Sequence, residues 1–211
     1  MINQESSHYG AKYFAWYKRI GEFGGQANVS KFQNHIIDSD NVVDYGCGGG
    51  YILSNLRCCN KIGIEVNPTA IQEMTAKGIT CFTSCDYLQD EWADVIISNS
   101  VLEHTLHPLV ELKKLHVKLK SNGRMVFSVP CESPDWKFVA GDINQHLYSW
   151  SPQSLGNLFR VAGFDVVKVD AIKSMWPPFS QHLYTVLGNK GFELACTIYW
   201  FLRFVFSLVF P

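Results

Sequence analysis

A run of glycines interrupts an apolar stretch of the chain and follows closely on a carboxylate. Residues 41–53 read NVVDYGCGGGYIL, in which Asp44 lies two positions before the first glycine, Gly46. Glycine loses more backbone entropy on folding than any other residue, so it is costly inside a strand or a helix. We therefore expect a tight turn here, at which a ligand can approach the backbone more closely than a Cβ atom would allow.

The spacing of the glycines and the charge beside them discriminate among nucleotide-like cofactors. A dinucleotide-binding fingerprint requires G-x-G-x-x-G, but its third glycine position holds Tyr51, and no Gly-Lys-Ser/Thr follows to complete a P-loop. The carboxylate of Asp44 would repel a pyrophosphate and attract an ammonium or sulfonium group. The segment therefore favours S-adenosylmethionine over a nicotinamide dinucleotide.

Several later segments resemble motifs of one family, in the same order along the chain. DYGCGGG resembles the D/E-x-G-x-G-x-G signature of class I S-adenosylmethionine-dependent methyltransferases. DVIISNSVLEHTLHP, LKSNGRMVFSVP and NQHLYSWSPQSL followed by AGF resemble further motifs of the small type 11 and 12 group, with Ser121 and Asn122 replacing a usual Pro-Gly. The resemblance covers residues 40–170 and implies the class I fold and S-adenosylmethionine as cofactor.

The resemblance also implies roles for individual residues. Asp44 is expected at the amino-acid end of the cofactor, Glu65 at the ribose and Asp86 near the adenine. A carboxylate suits the ribose because it can accept a hydrogen bond from each hydroxyl of a cis-diol. The complete set of cofactor-binding candidates is Asp44, Gly46, Cys47, Gly48, Glu65, Val66, Asp86, Tyr87, Asn99, Ser100 and Tyr13.

An aromatic stripe near the N-terminus has two interpretations. Tyr9, Tyr13 and Tyr17 are spaced four residues apart, which places them on one face of a helix. Such a stripe can simply pack in the core. In the family that the chain resembles, the N-terminal helix often folds over the cofactor, so Tyr9 and Tyr13 are also candidates for closing the pocket, where an aromatic face would attract a sulfonium.

Two histidines are candidates for catalysis. A general base is needed only if the acceptor arrives protonated, as a hydroxyl or an ammonium, and histidine suits that role near neutral pH. His104 follows the fourth predicted strand and His146 lies in a later loop. Each also has a structural interpretation, packing or helix capping for His104 and fixing the loop for His146. Glu103 is expected to be an N-terminal helix charge, and His107 and His116 to be surface residues.

Composition narrows the class of protein and of partner. The chain has 211 residues, 47% of them hydrophobic, and a formal net charge of −1, so nothing in the overall charge favours nucleic acid. Seven cysteines without an evident signal peptide indicate reduced thiols and a cytoplasmic protein. No histidine lies near Cys81 and Cys85, and we expect no metal site.

Alternating strand and helix patterns must position these residues. Apolar segments at 42–43, 61–65, 79–82, 93–100 and 124–130 read as strands, and residues 164–170 (FDVVKVD) as one more. Helices are expected at 51–56, 68–77, 106–119 and 152–162 between them. The pattern predicts an α/β fold with a doubly wound, mostly parallel sheet. We expect one domain over 1–211, with a helical cap (1–39), a cofactor-binding core (40–170) and an apolar extension (171–211).

The extension ends in a strongly apolar segment. Arg203 is the only charge between residues 194 and 210. Three interpretations stay open: a helix packed on the domain or on a second subunit, an interfacial helix on a membrane with Arg203 reaching the head groups, or a lid over an apolar substrate pocket. Residues 192–211 are therefore a candidate peripheral membrane or dimer contact, and the protein a candidate for membrane association.

The sequence thus predicts methyl transfer from S-adenosylmethionine to a small-molecule acceptor such as a sugar, a lipid-linked molecule or a quinone-type metabolite. Two other classes compete with this prediction. One is a non-catalytic protein of the same fold that binds S-adenosylmethionine or S-adenosylhomocysteine. The other is a nicotinamide-dependent oxidoreductase, which the missing third glycine disfavours.

Overall fold

The computed structural model describes residues 11–132 and 137–209. The chain divides into two compact units, with the boundary between Val169 and Asp170. That boundary adjoins residue 171, at which the sequence places the start of the apolar extension. The first unit contains the predicted cofactor-binding core.

A five-stranded parallel sheet with the order β3-β2-β1-β4-β5 forms the centre of the first unit. The predicted doubly wound, mostly parallel sheet is confirmed. Because the first strand lies in the middle and the order reverses there, the carboxyl ends of β1 and β4 border the crevice where such sheets bind ligands. The strands are β1 (Asn41–Tyr45), β2 (Asn60–Ile64), β3 (Thr80–Phe82), β4 (Ala93–Asn99) and β5 (Leu119–Ser128).

Helices connect the strands and cover both faces of the sheet. In the first unit they are α1 (Ala11–Asn28), α2 (Ser30–Gln33), α3 (Tyr51–Asn55), α4 (Pro68–Ala76), α5 (Pro108–Lys118) and α6 (Pro152–Ala162). Capping residues determine where two of these helices begin and end. The Asn67 side chain caps α4 by accepting from two backbone N–H groups, and Gly163 ends α6 in the left-handed region, at φ 107°.

The strands bury both of their faces, which explains their continuous apolar runs. Val42 of β1 packs in one cluster with Phe32, Leu53 and Met74. The next residue, Val43, points to the opposite face and packs with a second cluster that includes Leu115 of α5. The sheet is thereby held between α2, α3 and α4 on one side and α5 on the other, so its carboxyl edge is rigidly supported.

The sixth strand predicted for residues 164–170 is wrong. Among the described residues the sheet has five strands, and this segment belongs to none of them. Phe164 packs edge-on against His116, but the side chain of Val167 is 98% exposed. The paired valines thus have the composition of a strand but do not bury a face against the helices.

The start of β5 also differs from the prediction. The sequence pattern predicts a helix that ends at residue 119 and a strand that begins at residue 124. Instead, α5 ends at Lys118 and β5 begins at Leu119, directly after it. A register shift follows, since Ala93 pairs with Leu119 but Val95 pairs with Arg124. The extra residues form a bulge that the partner strand β4 does not match.

The second unit consists mainly of the helical segment α7 (Ser180–Val209), which is broken at Gly188, where φ is 66° and ψ −176°. Trp176 and Tyr184 both contact the buried ring of Phe192 edge-on. Many apolar side chains beyond Phe192 are exposed, among them Leu194, Ile198, Phe201, Leu202 and Phe206. Within the described part of the chain, every helix falls short of the length and apolar character that crossing a membrane requires.

The helix α1 reaches the glycine turn because two of its own glycines permit close packing on α3. A Cβ atom at Gly21 would lie 2.3 Å from the Tyr51 ring, and one at Gly25 would lie 2.5 Å from the Tyr51 carbonyl oxygen. The Tyr51 hydroxyl donates to Glu73 at 2.6 Å, and Lys18 of α1 pairs with the same carboxylate at 2.7 Å. These contacts hold α1 against the turn at the end of β1.

We expect Gly25→Ala to destabilise the protein although alanine favours helices. The new methyl group would displace the Tyr51 backbone, and overpacking of this kind costs about 1–3 kcal/mol. Gly156→Ala is a matched control within α6, because its Cβ would meet only Val169, at 3.5 Å. That control should gain up to about 1 kcal/mol from helix propensity. Urea denaturation of both variants measures the difference, and equal stabilisation by both would contradict this packing.

Candidate functional site

The glycine turn at the end of β1 has a conformation that other residues would strain. Gly46 and Gly48 have φ values of 73° and 52°, in the left-handed region. The N–H groups of Gly46 and Cys47 both donate to the carbonyl oxygen of Ile64, at 2.8 and 3.2 Å. A Cβ atom at Gly46 would lie 2.3 Å from a methyl carbon of Val101. The turn is therefore closed by β2 on one side and by the segment after β4 on the other.

Asp44 is a buried carboxyl group at the end of β1. Its residue is 2% exposed, and burial followed by the charge of Glu65 raises its pKa to about 8. An adjacent positive charge would favour the ionised carboxylate and lower this pKa. The site is thus suited to a ligand that brings a positive charge.

Glu65 links the end of β2 to the glycine turn. Its carboxylate accepts three backbone hydrogen bonds at 2.8 Å each, from the N–H groups of Gly48, Val66 and Asn67. Burial raises the pKa of Glu65, and these three hydrogen bonds oppose that rise. The carboxylate therefore lies beside the turn with a fixed orientation.

Two tyrosines of α1 lie over these carboxyl groups. A Cβ atom at Gly48 would lie 2.9 Å from the Tyr17 ring, and the pKa of Tyr17 is raised by burial and then by Asp44. The pKa of Tyr13 is raised by burial and then by Glu65 and Glu103. Tyr17 therefore packs against the glycine turn, and the position of Tyr13 beside the cofactor stays a prediction. Tyr9 lies outside the described residues.

The adenine-side candidates are much more open. Tyr87 is 69% exposed and Val66 is 56% exposed. Asp86 is also exposed, and its pKa is lowered by the Ser84 hydroxyl at 2.8 Å and by the Lys114 ammonium at 3.4 Å. These side chains follow β2 and β3 at the same edge as Asp44, but they do not form an enclosed pocket with it.

Asn99 is the last residue of β4 and Ser100 follows it, and Asn99 has a partner that the sequence did not predict. Lys31 donates to the Asn99 side-chain oxygen at 3.2 Å and to the Ser128 hydroxyl at 3.4 Å. Burial lowers the pKa of Lys31. Ser100 has a positive φ of 58° and its N–H donates to the Ser128 carbonyl at 2.7 Å. No pattern around Lys31 signals this contact, because it joins positions that are far apart in the chain.

The two candidate catalytic histidines are adjacent. Their ring centroids lie 4.8 Å apart, with the rings edge-on to one another. His146 Nδ1 hydrogen-bonds the carboxylate of Glu132, which orients its ring. The backbone N–H of Leu147 donates to the Glu103 carbonyl at 2.8 Å, so the His146 loop is attached directly to the turn that carries His104.

The prediction that Glu103 is an N-terminal helix charge is wrong. Glu103 lies in a 3-10 turn, Leu102–His104, before α5, and its side chain is completely buried. Neither carboxylate oxygen has a hydrogen-bond partner among the described residues. Burial raises the pKa of Glu103 to about 7. The turn points the side chain inward, toward the histidines, with His104 Nε2 at 3.8 Å from its carboxylate.

His107 and His116 lie on the surface, as expected. His107 precedes α5 and is exposed, and His116 is exposed near the end of the same helix. His116 contacts the ring of Phe164, which gives it a packing role.

Comparisons with known proteins agree with this geometry. The family model described as "Methyltransferase domain" matches residues 11–169, which is more than half of the chain. The match extends from α1 through the sheet to the boundary of the first unit. No curated protein sequence gives a significant match.

Solved structures support the same fold. A methyltransferase in complex with the Haloferax volcanii Trm112 activator aligns with a TM-score of 0.61 at 20% identity, over 86% of this chain and 88% of that one. An Archaeoglobus fulgidus S-adenosylmethionine-dependent methyltransferase gives 0.61 at 20% identity, over 77% and 79%. A Haemonchus contortus phosphoethanolamine N-methyltransferase, solved with S-adenosylhomocysteine, gives 0.62 at 12% identity, over 93% and 53%.

At identities this low, the solved structures establish the fold alone. The family match establishes that the protein is a methyltransferase. The resemblance to class I methyltransferases predicted from the sequence is confirmed. The chain belongs to the methyltransferase-domain family and is a methyltransferase with S-adenosylmethionine as its cofactor.

Proposed function

We propose that this enzyme methylates a small-molecule acceptor held between the glycine turn and the His104–His146 pair. The observation that supports this most directly is the position of the turn Leu102–His104, which directly follows Val101, the residue packed against Gly46. The histidine pair therefore lies close in the chain to a contact of the glycine turn. A transferred group and a proton acceptor must be held close together for the reaction to proceed in one site.

The residues around the turn fit the cofactor. The left-handed glycines let Val101 and Tyr17 pack directly against the backbone of the turn, and Asp44 is a buried acid at the end of β1. We propose that Asp44 binds the cofactor's ammonium and that Glu65 accepts hydrogen bonds from its ribose hydroxyls. The remaining proposed contacts are Gly46, Cys47, Gly48, Val66, Asp86, Tyr87, Asn99, Ser100 and Tyr13. The bound cofactor supplies a methyl carbon activated by a positive sulfur.

The histidine pair would take the proton that the acceptor loses. An acceptor hydroxyl or ammonium must be deprotonated before or during its attack on the methyl carbon. Glu132 binds Nδ1 of His146, which favours the tautomer whose Nε2 is a base. His104 lies beside that ring, so either imidazole can receive the proton. This assignment supports an acceptor that reacts through oxygen or nitrogen, such as a sugar, a lipid-linked molecule or a quinone-type metabolite.

We expect Asp44→Asn to weaken S-adenosylhomocysteine binding by about 10- to 100-fold, because a charge-assisted hydrogen bond contributes about 1.5–3 kcal/mol. Isothermal titration calorimetry measures this loss, with the exposed Asp38→Asn as the matched control. The same experiment tests the cofactor site itself, because a wild-type protein that binds neither S-adenosylmethionine nor its product would contradict the proposed site.

Proton linkage gives a second test of Asp44. Its pKa of about 8 in the ligand-free protein leaves the group protonated at pH 7, whereas a bound ammonium favours the carboxylate. Binding at pH 7 should therefore release a proton, which appears as a dependence of the calorimetric enthalpy on the buffer. The raised pKa also means that Asp44 lowers folding stability as pH rises from about 4 to about 8. Asp44→Asn should remove both effects, and a wild-type enthalpy independent of buffer would argue against a protonated Asp44.

Labelled methyl transfer tests the acceptor class. S-adenosylmethionine with a radioactive methyl group is added to the enzyme and to fractionated cell extract, and we expect label in small molecules. His146→Ala should lower the rate by about 10²- to 10⁴-fold, the usual contribution of a general base. Its affinity for S-adenosylhomocysteine should be unchanged, and the exposed His35→Ala serves as control. Label confined to protein or nucleic acid would overturn the proposed acceptor, and no transfer despite cofactor binding would favour a non-catalytic protein.

The contact proposed for residues 192–211 requires a separate test. Exposed apolar side chains along α7, such as Leu194 and Phe201, support a role in binding a membrane surface or a second copy. We expect a truncation after Gly191 to lose co-sedimentation with anionic vesicles or to reduce the apparent mass in sedimentation equilibrium. Equal behaviour of the truncated and full-length chains in both measurements would rule out this contact.

A further inference from the structure

We propose that Glu103, His104 and His146 form a binding site for a divalent transition-metal ion. This goes beyond the proposed methyl transfer, which does not require an ion. One donor atom from each of these three side chains lies within 4.8 Å of the other two. Two imidazole nitrogens with one carboxylate oxygen form a donor set typical of Mn²⁺, Fe²⁺, Co²⁺ and Zn²⁺.

The strongest support is the state of Glu103. Its side chain is completely buried, and neither carboxylate oxygen accepts a hydrogen bond from any described residue. The nearest cationic candidate, His104 Nε2, is 3.8 Å from Oε1, which is too far for a hydrogen bond. Burying a carboxylate without partners is costly, and such groups in proteins are normally paired or bind a metal. A divalent cation between Glu103 and the histidines would supply the missing partner.

The surroundings of His146 match those of a metal-binding histidine. Its Nδ1 hydrogen-bonds the Glu132 carboxylate, so Nε2 is the nitrogen left to bind an ion. Metal-ligating histidines commonly donate their second ring nitrogen to a carboxylate, which fixes the tautomer and makes the ligand more basic. Glu132 would act in this way, without touching the ion itself.

The backbone holds the donors together before any ion binds. Leu147 and Tyr148 donate their N–H groups to the Glu103 carbonyl, at 2.8 and 3.3 Å. The Tyr148 hydroxyl donates to the Leu106 carbonyl at 3.0 Å. The loop that carries His146 is thus attached at three points to the segment that carries Glu103 and His104. A site assembled in this way needs little rearrangement to bind a cation.

Three protein ligands leave coordination positions open for water or for an acceptor oxygen. An ion bound at Nε2 of His146 would occupy the nitrogen that accepts a proton in the ion-free enzyme. The ion-bound and ion-free forms should therefore differ in their rates of methyl transfer. Mg²⁺ prefers oxygen donors in octahedral geometry and should bind weakly. Zn²⁺ is a poor probe here, because seven free thiols compete for it.

The test titrates Mn²⁺ into the full-length, tag-free chain after treatment with a chelator. Electron paramagnetic resonance counts the free aquo ion. We expect one Mn²⁺ to bind per chain, with weaker binding by at least about 10-fold in Glu103→Gln and in His146→Ala. Glu132→Gln should weaken binding by about 10- to 100-fold, the usual effect of losing an outer partner of a ligand. The surface variant His107→Ala should bind like the wild type.

Calorimetry with S-adenosylhomocysteine checks that each variant remains folded. If Glu103→Gln does not fold, His146→Ala and Glu132→Gln still test the metal site. No Mn²⁺ binding by the wild type, or binding that is equal in all variants, would overturn the metal site. The labelled-methyl assay performed in chelator tests methyl transfer separately. Failure of the ion to bind therefore leaves the proposed function intact, and failure of methyl transfer leaves the ion measurement interpretable.

Discussion

The architecture of this enzyme depends on how closely other groups approach the backbone of the glycine turn. Val101 lies against Gly46, Tyr17 against Gly48 and the Tyr51 ring against Gly49, all at distances that a Cβ atom would not permit. The turn is therefore a shared contact for the segment after β4, for α1 and for α3. Any side chain there would displace several elements at once, and with them the carboxyl edge of the sheet.

Negative charge accumulates around this same edge. Asp44 and Glu103 are buried acids whose pKa values are raised to about 8 and about 7, in each case chiefly by burial. Glu65 is stabilised by three backbone N–H groups, whereas neither carboxylate oxygen of Glu103 has a hydrogen-bond partner among the described residues. Uncompensated buried carboxyl groups store unfavourable free energy that a cation can relieve. The ammonium group of the cofactor would relieve it at Asp44 in the proposed site, and the proposed metal ion would do so at Glu103.

The helix α1 connects these two regions of charge. Its glycines allow it to pack closely on α3, and its tyrosines then lie over the acids at the ends of β1, β2 and β4. This helix thus borders the glycine turn, although it precedes the motifs that identify the family. Its removal would expose both the glycine turn and the polar groups that the turn binds.

The sequence by itself determined the order of the elements, the cofactor and the positions of Asp44, Glu65 and the glycines, because these depend on local backbone conformation and on fixed spacing after a strand. It also predicted the end of α6 at Gly163, where only glycine readily adopts the left-handed conformation. It wrongly predicted a strand at 164–170, since strand formation requires a partner and a face to bury, which composition does not reveal. The burial of Glu103, its approach to His146 and the reach of Lys31 to Asn99 were decided only by tertiary structure. Each of these contacts joins segments that are distant in the chain or depends on which way a short turn points, and the folded sheet alone brings them together.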